Sequence, residues 1–160
     1  MAAGISASSS AAATEPQEGP LARATAGLVP YAPTILRVVV GFVFLQYGLN
    51  KLGNPDGFAG FVGSLGFPAQ AAFAWFIIGL EILGGVALII GILVRPVALL
   101  FAIEMLVTSW LVKLPRGIAP SEGGAGLELD IVMLAAAVAL LILGAGRLSI
   151  DRDVIRRELI

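Results

Sequence analysis

Residues 69–93 read AQAAFAWFIIGLEILGGVALIIGIL, and Glu81 is the only charged residue among them. This run is longer than the roughly 20 helical residues that cross the ~30 Å hydrocarbon core of a bilayer. Apolar runs of similar character lie at about residues 33–52, 96–112 and 127–143. Because lipid offers the backbone no hydrogen-bonding partners, open strands are excluded. The sequence therefore predicts an all-α integral membrane protein, a bundle of four transmembrane helices.

The composition of the chain agrees with a membrane protein. Of its 160 residues, 58% are hydrophobic and 13% are charged, whereas a soluble domain is about half apolar and a quarter charged. The net charge of −1 and the absence of a long Lys/Arg run argue against nucleic acid as a partner. The sequence has no Cys and no His, which are the usual ligands of iron–sulfur clusters, haem and many metals. We therefore expect no metal site and no covalently bound cofactor, so any redox chemistry needs a diffusible cofactor or a partner subunit.

Three segments are predicted along the chain. Residues 1–29 are rich in Ala and Ser and are interpreted as a flexible N-terminal tail. Residues 30–146 form the membrane domain, and residues 147–160 form a C-terminal segment. Ser149 can cap a short helix in this last segment. Its arginines are expected to contact anionic lipid headgroups.

The first loop, residues 54–68, is more apolar than an ordinary loop. Phe58, Phe61, Val62 and Leu65 follow helical spacing on one face, which predicts a short amphipathic helix. Two functions remain open for this helix. It is either an apolar lid over the ends of the spans or the border of an entrance for a quinone or a lipid.

The basic residues predict the orientation. With four spans, both termini and the second loop lie on one side, which holds Arg23, Arg37, Arg95, Arg147, Arg152, Arg156 and Arg157. The opposite side holds Lys51, Lys113 and Arg116. The positive-inside rule then predicts a multi-pass protein with both termini, and the C-terminal helix, in the cytoplasm.

Charged residues within the apolar runs are the first candidates for a functional site, because lipid makes them costly. The candidates for ligand binding or proton transfer are Arg37, Lys51, Glu81, Glu104 and Glu128. Their depths predict that Arg37 pairs with Glu81 or Glu104, and that Lys51 pairs with Glu128. Asp130 is expected at the headgroups. Such pairs can equally serve only to fix the register of the helices.

Four glycines are predicted to let helices approach closely. Gly41 and Gly48 lie on one stripe of the first span, and Gly84 and Gly85 lie beside Glu81 in the second. Small residues of this kind are typical of helix contacts in membranes.

Four stretches taken together resemble the DoxX family: Leu36-Arg37 with Gly41 and QYGLNKL at 46–52, EILGG at 81–85, Met105, and Glu128 with GAGRLSIDR at 144–152. The resemblance implies a four-helix membrane protein of the bacterial cytoplasmic membrane, with site residues at Arg37, Lys51, Glu81 and Glu128. It also implies a quinone as cofactor, with membrane lipids and other membrane subunits of a redox complex as partners. Many members have His where this chain has Tyr47. Tyr47 keeps a hydrogen-bonding group but loses proton exchange near neutral pH, and it is counted among the candidates for ligand binding or proton transfer.

Three functions remain open at this point. The favoured one is an accessory subunit, not catalytic alone, of a respiratory or photosynthetic electron-transfer assembly that contributes to a quinone site. The second is an independent quinone-dependent membrane oxidoreductase. The third is a small transporter or proton pathway that uses Glu81 and Glu104, although the chain shows no clear inverted repeat.

Overall fold

The structure, a computed structural model, describes residues 19–116 and 126–153. The regular elements in these ranges are helices. The short α1 (Pro20–Thr25) and a 3₁₀ helix (Ala26–Tyr31) lead directly into α2. The others are α2 (Ala32–Leu52), α3 (Pro55–Ser64), α4 (Gln70–Ile90), α5 (Val94–Thr108), α6 (Leu127–Leu143) and α7 (Ile150–Asp153). Beyond Thr108, α5 continues as a π-helical segment (Ser109–Lys113) and a 3₁₀ turn (Leu114–Arg116).

Three helical segments are long and apolar enough to cross a membrane: Pro20–Leu52, Gln70–Ile90 and Val94–Lys113. The fourth predicted span, α6, has 17 residues and extends about 26 Å, slightly less than the thickness of a typical hydrocarbon core. The prediction of a membrane-crossing fourth helix is therefore not confirmed. Residues 1–18, 117–125 and 154–160 lie outside the described part. The described part therefore leaves out most of the predicted tail, most of the loop between the third and fourth predicted spans, and the end of the predicted C-terminal helix.

The helices α2 and α4 approach through their glycines. A Cβ atom added at Gly85 would lie 2.7 Å from the carbonyl oxygen of Gly41 and 2.8 Å from the backbone nitrogen of Leu45. One added at Gly48 would lie 3.0 Å from the backbone nitrogen of Ile82. These distances leave no room for a side chain, so the backbones themselves are in contact, as predicted for these glycines.

The core of the bundle joins α2 and α4 to α5 and α6. The rings of Phe44 and Phe101 stack with their centroids 3.6 Å apart and their planes 8° from parallel. A Cβ at Gly84 would lie 2.8 Å from the Phe101 ring, so this glycine makes room for the stack. Other buried residues around it are Val40, Leu88, Val97, Ala98, Met133, Ala137 and Leu140.

The bundle has two ends, which we name by what they carry. The α3 end holds α3, the end of α2, the start of α4, the π-helical segment and the start of α6. The terminal end holds the start of α2, the link from α4 to α5 and residues 144–153. The predicted loop helix is confirmed as α3, and Asn54 caps it by accepting a hydrogen bond from the backbone N–H of Gly57 at 3.0 Å. Its Ala59 and Val62 pack on Ala74 of α4, so α3 folds back over the bundle.

Arg37 fastens the terminal end. Its side chain is 2% exposed and donates to the carbonyl oxygens of Leu88 and Ile89, both at 2.6 Å, at the end of α4. It also donates to the carbonyl oxygens of Ala145, at 3.1 Å, and Leu148, beyond α6. Carbonyls at the end of a helix have no partner within the helix and carry partial negative charge. The guanidinium therefore joins α2 to the end of α4 and to the segment that follows α6.

Asp151 adds further hydrogen bonds at the terminal end. Its carboxylate accepts hydrogen bonds from the backbone N–H groups of Leu93, at 2.8 Å, and Val94, at 2.9 Å, at the start of α5. Its own N–H donates to the carbonyl of Gly91 at 3.0 Å. Gly91 has a φ of +80°, and a Cβ there would lie 2.8 Å from the Arg37 guanidinium carbon. Glycine is needed at this position both for its backbone conformation and for space.

Candidate functional site

The centre of the α3 end is an ion pair between Lys51 of α2 and Glu81 of α4. The Lys51 ammonium donates to Glu81 Oε1. Glu81 is 1% exposed. The pair forms because Gly48 brings the α2 backbone against the Cβ of Glu81, one turn before Lys51. The expected pairing of Arg37 with Glu81 is therefore wrong, since Arg37 is held by carbonyls at the terminal end.

Glu104 of α5 extends this pair. It is 6% exposed, and its carboxyl group is within hydrogen-bonding reach of that of Glu81. The remaining oxygens, Glu81 Oε2 and Glu104 Oε2, are buried and have no other hydrogen-bonding partner in the described part of the chain. Glu104 is one of the candidates named from the sequence, although it does not belong to the set of residues that the resemblance implies.

A second ion pair lies beside the first. The Lys113 ammonium is 3.5 Å from Asp130 Oδ1 and donates to the carbonyl of Gly126 at 3.4 Å. Asp130 is 6% exposed, and its Oδ2 is buried without a hydrogen-bonding partner among the described residues. Asp130 therefore points into the bundle from the first turn of α6, and its expected depth at the headgroups stays a prediction.

The predicted partner of Lys51, Glu128, lies elsewhere. Glu128 is exposed in the first turn of α6, and Lys51 bonds to Glu81 instead. The face of α6 that contacts the bundle carries Asp130 with Met133, Ala137 and Leu140. These four residues have helical spacing in the sequence, so the burial of Asp130 on this face could have been predicted. The small residue Ala135, on the side of α6 that follows Glu128, is exposed.

These charged groups line one cavity of about 560 Å³, within the range of small-molecule sites. Its aromatic residues are Phe44, Tyr47, Phe58, Phe61, Phe67, Phe73 and Phe76. Its charged residues are Lys51, Glu81, Glu104, Lys113 and Asp130. Several lining residues are exposed on the apolar flank of the bundle, including Phe76 of α4, at 57%, and Ile103 of α5, at 48%. The cavity therefore combines an apolar opening with a charged inner wall.

Tyr47 borders the same cavity, as one of the predicted site residues. It is 38% exposed, and its ring lies 5.7 Å from the Lys51 ammonium. The Phe58 ring of α3 lies 5.2 Å from that ammonium on another side. Two aromatic rings and a carboxylate thus surround Lys51, a favourable setting for a cation.

The predicted candidates accordingly divide between three locations. Lys51, Glu81, Glu104 and Tyr47 meet at the cavity. Arg37 lies at the terminal end and Glu128 on the outer face of α6. Whether any of them binds a ligand stays a prediction. Within the described ranges, no three acidic side chains converge closely enough to hold a metal ion.

Comparison with known proteins extends these observations. The DoxX family model matches residues 32–114, which run from α2 to the 3₁₀ turn after α5. "Putative oxidoreductase CatD" of Bacillus subtilis is 34% identical over 117 residues, 73% of this chain and 82% of the relative. "Uncharacterized membrane protein Rv3486" of Mycobacterium tuberculosis is 34% identical over 137 residues, 80% of this chain and 84% of the relative.

A more distant relative is "Inner membrane protein YphA" of Escherichia coli, which is 26% identical over 129 residues, 77% of this chain and 90% of the relative. No solved structure matches the chain. The family match covers more than half of the chain, and two relatives exceed 30% identity over most of their length. The resemblance noted from the motifs is thereby confirmed, and this membrane protein belongs to the DoxX family.

Proposed function

We propose that this protein binds a quinone and its reduced form in the cavity beneath α3, as an accessory subunit of a membrane electron-transfer assembly. One observation carries the proposal: a cavity of about 560 Å³ joins an apolar opening to a wall of buried charged groups. A ligand from the lipid phase needs such an opening, and a redox-active ring needs polar groups at its oxygens.

The residues present fit a quinone. Its ring would lie among the aromatic side chains, of which Phe58, Phe61 and Phe73 come from α3 and the start of α4. Its oxygens would meet the charged wall, where Glu81 Oε2, Glu104 Oε2 and Asp130 Oδ2 have no partner outside the carboxyl pair in the described structure. When bound, a quinone supplies two-electron, two-proton redox chemistry. The carboxyl groups of Glu81 and Glu104 would be the groups of the wall that exchange protons with it.

The accessory role rests on the composition of the whole chain. With no His and no Cys, the chain lacks the common ligands that hold haem or iron–sulfur clusters. Electrons would therefore reach or leave the quinone through another subunit. The expected partners are membrane lipids and redox subunits.

The proposed placement is the bacterial cytoplasmic membrane, with four spans and both termini in the cytoplasm. In support of the fourth span, α6 presents large apolar side chains outward, with Ile142 70% and Val132 62% exposed. Lipid is the natural environment for such a surface. In support of the orientation, the exposed Arg23, Arg95 and Arg147 lie at the terminal end.

An independent quinone-dependent oxidoreductase is the second candidate. The observation that favours it is the name of a relative with 34% identity, "Putative oxidoreductase CatD". The two candidates differ in what they need from other proteins. An independent enzyme turns over a quinone when purified alone, whereas an accessory subunit requires its partners.

The test is purification from the native membrane in mild detergent, followed by extraction of bound quinone and identification of co-purifying proteins. We expect near-stoichiometric quinone together with redox subunits. Glu104→Leu removes part of the charged wall but leaves the Lys51–Glu81 pair, so it should fold and lose the quinone. The matched control is Glu128→Leu, at an exposed position of α6, which should retain it. Wild-type protein without quinone, or equal retention by both variants, would contradict the proposed site.

A further inference from the structure

Hydrogen-bond acceptors outnumber donors at the cavity wall. Three carboxyl groups line it, from Glu81, Glu104 and Asp130, against the ammonium groups of Lys51 and Lys113. Each carboxyl contributes a buried oxygen for which the described residues provide no hydrogen bond outside the carboxyl pair. A buried acceptor without a partner costs free energy, so these oxygens favour a ligand that brings its own donors.

Each ammonium group at the wall already has at least one hydrogen-bonding or ionic partner. The Lys51 ammonium bonds to Glu81 and lies against the rings of Tyr47 and Phe58. The Lys113 ammonium interacts with Asp130 and with the carbonyl of Gly126. The Thr108 hydroxyl donates within its own helix, to the carbonyl of Glu104 at 3.0 Å. The Tyr47 hydroxyl can donate or accept, so it favours neither kind of ligand.

The charges of the wall are also largely compensated. Each of the two lysines pairs with one carboxyl group, so a single carboxyl group of the three, that of Glu104, has no cation of its own. A charged ligand would leave an uncompensated charge in an apolar cavity, which is costly. The cavity therefore suits a neutral molecule.

We infer that the cavity selects neutral rings that carry hydroxyl donors, so that it binds a quinol more tightly than the corresponding quinone. This inference rests on the proposed quinone site and adds a preference between the two redox forms. A quinol presents two O–H donors to the unpartnered carboxyl oxygens. A quinone presents two more acceptors to a wall that already has too many.

The test measures binding by isothermal titration calorimetry with the full chain in detergent, under anaerobic conditions. The probes are a short-chain benzoquinone, its quinol, and the dimethyl ether of that quinol. The ether keeps the ring and lacks the donors. We expect the quinol to bind at least tenfold more tightly than the other two. For a two-electron couple this tenfold ratio raises the midpoint potential of the bound couple by about 30 mV.

Two variants test the acceptors directly. Asp130→Asn and Glu104→Gln each replace a carboxyl group by an amide that can donate, so the preference should fall to about threefold or less. Glu104→Gln retains the Lys51–Glu81 pair, which protects folding if Asp130→Asn is unstable. Asp56→Asn, an equivalent change at an exposed position outside the cavity lining, should keep the full preference.

The possible outcomes separate the two proposals. Equal binding of all three probes, tighter binding of the quinone, or a preference unchanged in both cavity variants would overturn the inference and leave the proposed site standing. Binding of no probe would overturn the proposed site and the preference with it.

Discussion

Replacing Lys51 by Met should destabilise the protein by about 3 kcal/mol, because Glu81 then loses its cation. Removing one partner of a buried ion pair costs about 3–5 kcal/mol. The side chain of Lys51 is 24% exposed and that of Glu81 is 2% exposed, so most of the cost falls on the carboxylate that stays behind. Partial exposure of the lysine places the loss at the lower end of the range. Met keeps most of the apolar volume of the lysine stem, so lost packing contributes little.

The measurement is the free energy of unfolding by equilibrium denaturation in mixed detergent micelles. The control is the double variant Lys51→Met/Glu81→Gln, which leaves no buried carboxylate at residue 81. We expect the double variant to recover at least half of the loss, since the amide can still hydrogen-bond with Glu104. A single variant within about 0.5 kcal/mol of wild type, or a double variant less stable than the single one, would refute the reasoning.

Four further predictions follow from the same structure. Gly85→Ala should lower the free energy of unfolding by about 1–3 kcal/mol, because the added Cβ would meet the α2 backbone. The control Gly79→Ala, where a Cβ has nothing within 4 Å, should be neutral. Equal unfolding energies for the two variants would contradict the close approach of the helices. Arg37→Lys should lower the free energy of unfolding by about 2–4 kcal/mol, because hydrogen bonds to carbonyl oxygens are lost, while quinone binding stays unchanged. Altered quinone binding would instead show that the terminal end is coupled to the cavity. Reporter fusions at residue 120 and at the C-terminus should localise to opposite sides of the membrane, and the same side for both would refute the topology. The absorption spectrum of the purified single chain should show no haem or iron–sulfur bands, and stoichiometric bands would refute the expected lack of such centres.

The positions of the long helices could be predicted from the length of each apolar run. The run at residues 33–52 became α2 (Ala32–Leu52), and the run at residues 127–143 became α6 (Leu127–Leu143). Burial of apolar side chains and internal backbone hydrogen bonding determine helix length almost locally, so one sequence carries the information. The helix α3 could also be predicted, because four apolar side chains at helical spacing lie on one of its faces.

The partners of the charged residues could not be predicted in the same way. The prediction that Arg37 pairs with Glu81 used only the expected depth of each residue in the membrane. Depth does not determine how a helix is rotated, and it does not show which backbone carbonyls can accept hydrogen bonds. The pairing of Lys51 with Glu81 depends on the backbone contact at Gly48, which is a property of two helices together. The third apolar run was predicted to end at about residue 112, and α5 continues beyond Thr108 as a π-helical segment to Lys113. The wider turns of a π-helix, whose hydrogen bonds join residues five apart, rotate the end of that helix relative to an α-helical extrapolation.

The fastening at the terminal end has a consequence for the order of biogenesis. Arg37 lies in the first helix of the bundle, but its four hydrogen bonds go to carbonyls 51, 52, 108 and 111 residues later in the chain. Until α4 has been synthesised, this guanidinium has none of these partners. Until Ala145 and Leu148 have been synthesised, it has only those at the end of α4. A nascent chain therefore carries a cation without its full set of hydrogen bonds in its first membrane segment for most of translation. A chain truncated before Ala145 would keep two of the four acceptors.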